Sequence, residues 1–327
     1  MVKVRYAISL FLLFVLTVAA ANQQKPEQKP TDDIIKLATE LVVLDALVIK
    51  KSTQQMIPDL NKADFELYED GVKQELTHFS QDKLPLSIVL MFDTSGSMFP
   101  YIDRMRNGAA QVLQHLKPED EVAVIATAAQ TEVIQAFSKD RDRVARTIKL
   151  LDYHAYGDDG IYTNEAIYQA SELSRKASNP VNRRVVIVLT DDVSTQLRSK
   201  FHSKKETIDE VRESGTVICG LIPNGMFAKA MKLESKIFVT GRLAFAPGSI
   251  NDYSAETGGE VLQVRPKDVD SKMSELFDRL RTRYNLGYTS SNLNKDGKFR
   301  RIKLTLTQLK DSDVVVKTKQ GYYARAR

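Results

Sequence analysis

Two stretches of the chain are apolar almost without interruption, and both end in carboxylates. Residues 86–92 read LSIVLMF, apolar apart from Ser87, and run straight into Asp93. Residues 185–189 read VVIVL and run through Thr190 into Asp191 and Asp192. An apolar run of this length, closed by polar residues, suits a strand buried on both faces of a parallel sheet. Elsewhere the apolar positions take a helical period. Ile102, Met105, Ala109, Val112, Leu113 and Leu116 recur at three- and four-residue steps and stop at Lys117-Pro118. Val144, Ile148 and Leu151 mark a second helix. Ala166, Ile167, Ala170, Leu173 and Ala177 mark a third, starting near Glu165. Ile208 and Val211 mark a fourth, and residues 269–283 a fifth. Residues 121–127, 216–222 and about 260–264 read as further strands, and residues 131–137 as an antiparallel edge. This alternation predicts an α/β fold, a doubly wound, mostly parallel Rossmann-like sheet with helices on both faces, over residues 84–283. Residues 224–248 break the rhythm and read as an insertion or a mobile loop.

The flanks follow a different pattern. Residues 37–51 are strand-like, with a dense apolar run from 41 to 49. Residues 65–76 read as a hairpin with Asp70-Gly71 as its two-residue turn. Beyond Arg283, residues 284–288, 299–306 and 314–323 read as strands, with Asn294-Lys-Asp-Gly-Lys298 as a turn. A chain that leaves its β segment and returns to one can pair the two. Residues 36–83 and 284–327 are therefore expected to form one small β-sandwich-like domain.

The extreme N-terminus alters the picture of where the protein works. A basic start, a short apolar core from Tyr6 to about Val18 and an Ala19-Ala20-Ala21 exit make a signal peptide over residues 1–21. The run falls short of the ~20 apolar residues of a spanning helix, and no later stretch reaches that length. The expectation is an exported protein, periplasmic or secreted, with no transmembrane helix after cleavage. Residues 22–35, polar and carrying Pro26 and Pro30, read as a flexible linker. Removing the signal peptide lowers the formal charge from +5 to +3, a mildly basic balance that does not suggest nucleic-acid binding. Cys219 is the one cysteine, so no intrachain disulfide forms, and its apolar surroundings make it a core residue.

The carboxylates set the candidate chemistry. Asp93 would sit at the carboxyl end of a buried strand, where open α/β sheets place their ligand sites. Asp93, Ser95 and Ser97 bring one carboxylate and two hydroxyls to a tight loop, an oxygen set suited to a hard divalent cation such as Mg²⁺. The plain alternative is a turn in which Thr94 or Ser97 caps the helix beginning near Tyr101. Other chemistries find little support. The chain has no Gly-x-Gly-x-x-Gly and no Gly-Lys-Ser/Thr phosphate loop. His78, His115, His154 and His202 lie far apart, although His154 and Tyr156 fall close enough in sequence to line the site. Arg300-Arg-Ile-Lys303 reads as the solvated face of an alternating strand.

The Asp93-Thr-Ser-Gly-Ser97 loop after its buried strand resembles the first metal loop of von Willebrand factor type A domains. The resemblance covers residues 84–283 in matching element order. It implies a metal-ion-dependent adhesion site in which Asp93, Ser95, Ser97 and Asp191 hold Mg²⁺, or another divalent cation such as Mn²⁺ or Ca²⁺. Asp192 takes a place where the family often has Gly. The family's third loop supplies a Thr. Aligning Glu165 to the helix start puts Ile161 there, and leaves Thr163, Asp158 or Asp159 as substitutes. The flanking Asp64-Phe-Glu-Leu-Tyr-Glu-Asp-Gly71, Thr257-Gly-Gly259, Tyr284-Asn-Leu-Gly-Tyr288, Gly297-Lys-Phe-Arg300 and Gly321-Tyr-Tyr323 resemble a secreted bacterial branch of the family, known chiefly from acidobacteria. The resemblance implies a non-enzymatic adhesion- or scaffold-type module whose metal coordinates an Asp or Glu of a partner protein. Two alternatives stand beside it. One is a metal-free scaffold that binds partners through the β domain. The other is a metal-assisted hydrolase, which would need a second carboxylate where Ser95 stands.

Overall fold

The computed structural model describes residues 41–81, 83–151, 161–179, 183–192, 201–224, 248–307 and 313–325. The expected signal peptide and linker, His154, Tyr156, Asp158 and Asp159, and all but the two ends of the 224–248 segment lie outside the described residues. Four short strands come first: β1 Leu41–Lys50, β2 Phe65–Glu69, β3 Val72–Gln74 and β4 Leu76–Ser80. An α/β succession follows: β5 Leu86–Asp93, α1 Ile102–Val112, β6 Glu121–Thr127, β7 Thr131–Ser138, α2 Arg141–Lys149, α3 Thr163–Ser174 and β8 Arg183–Leu189. It continues with α4 Lys204–Ser214, β9 Val217–Pro223, α5 Ile250–Thr257, β10 Val261–Val264 and α6 Val269–Arg281. Four strands close the chain: β11 Tyr284–Thr289, β12 Phe299–Leu306, β13 Val314–Lys317 and β14 Gly321–Tyr323.

The central sheet has the order β10-β9-β8-β5-β6-β7 and is parallel except for β7, the expected antiparallel edge. Strand alternation explains the double winding. Leu86, Ile88, Leu90 and Phe92 of β5 enter one core with α1, α2 and α6. Val89 and Met91 enter a second core with α3, α4 and α5. Both faces are thus covered, which is why the run has to be apolar throughout. Ser87 is the exception, and its hydroxyl donates to the buried Glu121 carboxylate at 2.6 Å. From β5 the chain first builds outward to β6 and β7, then returns to lay β8, β9 and β10 on the other side. The carboxyl end of β5 is therefore the topological switch point, where such sheets leave a crevice.

The flanking segments form two antiparallel four-stranded sheets, β13-β1-β11-β4 and β14-β12-β2-β3. Their inner faces share one core, including Leu44, Leu67, Tyr284, Leu286 and Leu304. Asp70 and Gly71 both take positive φ, +47° and +85°, the two-residue turn that brings β2 onto β3. Three expectations on element bounds need correction. The hairpin's second strand stops at Gln74, whose buried amide is bonded to Ser291, and the chain then crosses into the other sheet as β4. The expected strand over 314–323 is likewise two strands in different sheets. Between them Gln320 N–H donates to the Glu256 carbonyl, and Thr318 passes so close to Gly258 that a Cβ there would sit 2.5 Å from its backbone. The first helix ends at Val112 in a single 3₁₀ turn, Leu113–His115, before Pro118 is reached.

The β segments are fastened to the α/β unit by buried ion pairs. Arg183, the first residue of β8, has no exposed side-chain surface and grips Asp45 of β1 through two bonds of 2.9 and 2.8 Å. Burial opposes ionisation of Asp45, but the Arg183 charge and its hydrogen bonds more than offset that and hold the carboxyl below its ordinary 3.8. Cys219 is buried in β9, and burial pushes its thiol up to about 11, as a core position requires.

Candidate metal centre

β5 delivers Asp93 to the switch point with no exposed surface. Its two carboxylate oxygens are both engaged. Oδ1 accepts the Ser95 N–H at 2.9 Å, closing the loop on itself, and Oδ2 accepts the Thr190 hydroxyl at 2.6 Å. Thr94 N–H donates to the Thr127 carbonyl at 2.8 Å, so the loop continues the pairing of β5 with β6. Met98 then plugs into the core and fixes the 3₁₀ turn Gly96–Met98. The Ser95 and Ser97 hydroxyls meet at 3.1 Å. Neither Thr94, whose hydroxyl donates to the Thr127 carbonyl at 3.2 Å, nor Ser97 caps α1, whose N-cap is Tyr101 without a side-chain bond, so the plain helix-cap reading does not account for these residues. The constellation opens outward, from buried Asp93 through Ser95 at 7% exposure to half-buried Ser97.

β8 delivers Asp191 to the same place, also with no exposed surface. Burial first, and then the charge of Asp191, push the Asp93 carboxyl up from 3.8 to about 7 against the hydrogen bonds from Ser95 and Thr190. Two carboxylates buried against one another beside two hydroxyls form a donor set that a hard divalent cation fits, because it offsets both charges and takes oxygen ligands. Among the described residues no group of three or more His, Cys, Asp and Glu side chains converges, so a nitrogen- or thiolate-rich centre is absent from them.

Asp192 has φ +60°, the left-handed region that glycine enters without strain. A Gly at this place would take the same φ without strain. The aspartate is held there because its Oδ1 accepts the Ile250 N–H at 2.9 Å, at the first turn of α5. Thr190 accepts the Asp192 N–H at 3.0 Å while donating to Asp93, so one hydroxyl couples both loops. Thr190 was not among the sequence candidates, although a lone hydroxyl between an apolar run and two carboxylates is a usable signal.

Helix α3 begins at Thr163, two residues before the expected start at Glu165. Thr163 is 3% exposed, and among the described residues its hydroxyl makes no hydrogen bond to Asp93, Ser95 or Ser97. Ile161 is buried at 1%. Asn164, which follows Thr163, organises this end of the molecule. Its Oδ1 accepts from Gly248 N–H at 2.8 Å and from the Tyr253 hydroxyl at 2.6 Å, and its Nδ2 donates to the His202 carbonyl at 3.3 Å. The His202 ring lies 2.6 Å from Glu165 and stacks on Tyr168 at 3.5 Å between centroids. Burial works against the Glu165 charge, but hydrogen bonds from Gln169 and His202 hold its carboxyl below the usual 4.5. His202 is thus committed to positioning the chain ahead of α4. No periodicity marks Asn164, a polar residue wholly inside a helix-to-helix contact.

Residues 88–194, from β5 to just past Asp192, match the family model of the von Willebrand factor type A domain. That stretch of the α/β part is thus similar to a von Willebrand factor type A domain, with Asp93 at the end of β5 and Asp191 just after β8. Solved structures that match include the conserved hypothetical protein BatB from Bacteroides thetaiotaomicron, at 13% identity over 60% of this chain and 98% of that one, with a TM-score of 0.42. Proximal thread matrix protein 1 from the mussel byssus, solved with a zinc-occupied adhesion-site motif, matches at 17% identity and a TM-score of 0.46. That match covers 65% of this chain and 49% of the mussel protein, about half its length. No curated protein matches the sequence.

Proposed function

We propose that this protein is an exported, non-enzymatic adhesion or scaffold module that binds a partner protein through a divalent cation, with Mg²⁺ the expected ion. Asp93, Ser95, Ser97 and Asp191 are the ligands assigned, and Thr163 is the candidate for the third loop. The observation that supports this most is the burial of Asp93 against Asp191 at the switch point, with the Ser95 and Ser97 hydroxyls leading outward. A cation bound there would neutralise both carboxylates and offer a coordination position to an incoming Asp or Glu. Ser95 stands where a hydrolase would need its second carboxylate, which favours binding over turnover. Export rests on the N-terminal sequence. Among the described residues no helix is long and apolar enough to cross a membrane.

The test is partner capture from the native envelope, in Mg²⁺ and in EDTA, with wild-type protein and with Asp93→Ala. The proposal expects a partner retained only by wild type in Mg²⁺. The same partner retained in EDTA, or by Asp93→Ala, contradicts it.

A further inference from the structure

A cleft of about 770 Å³ opens between the outer face of the β14-β12-β2-β3 sheet and the C-terminal ends of α4 and α5. Its floor is β12. Arg300, Ile302 and Leu304 are buried, so strand alternation turns Phe299, Arg301 and Lys303 to the outer face. Tyr68 of β2 lies opposite Lys303, and Gly321 of β14, without a side chain, lies opposite Arg301. The wall is Arg212, whose guanidinium stacks 3.9 Å above the Phe299 ring and pairs with Glu256 at 2.7 Å.

Charge in the cleft is unequal. Arg212 and Glu256 offset one another, and Arg300 is turned inward to Glu69 at 3.4 Å. Arg301 and Lys303 are exposed and have no acidic partner within ion-pair distance among the described residues. Two cations on alternate residues of one strand stand about 7 Å apart, which is also the spacing of side chains i and i+2 in an extended peptide laid alongside.

We propose that this cleft binds an extended acidic segment of a partner protein, with Asp or Glu at alternate positions meeting Arg301 and Lys303. The site is separate from the candidate metal centre. α4 starts beside the first turn of α3, where Asn164 is bonded to His202 and Thr207, and Arg212 lies eight residues along it from Lys204, about 12 Å of helix rise. Binding here requires no cation, so it stands whether or not the metal reading holds.

Fluorescence anisotropy with a labelled eight-residue peptide of alternating Glu and Thr tests this. Affinity is expected to be the same in Mg²⁺ and in EDTA, to be kept by Asp93→Ala, and to fall at least tenfold in Arg301→Glu/Lys303→Glu. Both side chains are exposed, so the variant retains its fold, checked by circular dichroism, and Arg301→Gln/Lys303→Gln provides a milder second variant. Charge reversal elsewhere, at Lys117 and Lys149, is expected to change affinity less than twofold. The proposal is overturned by no binding, by an equal loss in the control reversals, by loss in EDTA, or by tighter binding of a single-stranded oligonucleotide of equal charge.

Discussion

Replacing Arg183 with Met removes the guanidinium that fastens β1 to the α/β unit while keeping an apolar stem in the core. The Asp45 carboxylate then loses both of its short bonds, and Asn285 loses a 2.9 Å donor. Breaking a buried pair from one side costs about 3–5 kcal/mol. Asp45 retains 23% of its side-chain exposure whereas Arg183 has none, so the lower end applies, about 3 kcal/mol. At about 2–4 °C per kcal/mol, this lowers Tm by roughly 6–12 °C. The pH dependence has a definite sign. In wild type the folded carboxyl lies below the unfolded value of 3.8, so its contribution is present above that pH and is lost as pH falls through the folded value. In Arg183→Met burial is opposed only by the smaller effects of Arg283 and Lys319 and raises the folded value, so the variant's deficit shrinks as pH falls from 7 towards 4. Because the chain has no Trp, denaturant titration is followed by circular dichroism, in a cycle of Arg183→Met, Asp45→Asn and the double variant. The double variant should be at least 1 kcal/mol less destabilised than the sum of the singles. Additive effects, or a deficit independent of pH, would refute the reasoning.

Asp192→Ala loses the bond to Ile250 N–H and keeps the strained φ, for a cost of about 1–2 kcal/mol in denaturant unfolding, whereas Asp192→Gly relieves the strain and should cost less than half as much. Asp93→Asn removes one of two mutually repelling buried carboxylates. It should raise the Tm of chelator-treated protein and abolish the gain on adding Mg²⁺, which for wild type at a hundredfold excess over Kd is about 2.7 kcal/mol. Cys219, buried and with its thiol pushed up to about 11, should resist alkylation at pH 8 in the folded protein and react fully in denaturant, as read by mass spectrometry.

The buried strands were legible because burial on both faces forces an unbroken apolar run, as at 86–92. Helix faces were legible because only one face is buried. Bounds were not, since the ends depend on contacts made elsewhere. Thr163 starts α3 two residues early, where its neighbour Asn164 ties α3 to the Gly248, Tyr253 and His202 segments. The crossings of the β segments at Glu75 and at 318–320 depend on Gln74 and on Gly258, whose partners lie far away in sequence. The flanking motifs have structural work. Tyr288, Arg300 and Tyr322 converge on buried Glu69, from 2.5 to 3.4 Å, and so join strands of both sheets. The proximity of Asp93 to Asp191 was legible because strand ends at a switch point share one crevice, and Ser95 and Ser97 follow Asp93 in the same loop. Thr190 was missed because its role is to hydrogen-bond the carboxylate.

The most direct measurement is calorimetric titration of Mg²⁺ into chelator-treated protein at pH 7.5, with Asp93→Ala and Asp191→Ala in parallel. Saturable one-to-one binding by wild type, abolished in both variants, is the predicted result. Binding that persists in either variant, or its absence in wild type with Mg²⁺, Mn²⁺ and Ca²⁺ alike, would contradict the assignment of the β5 and β8 strand ends as a metal centre.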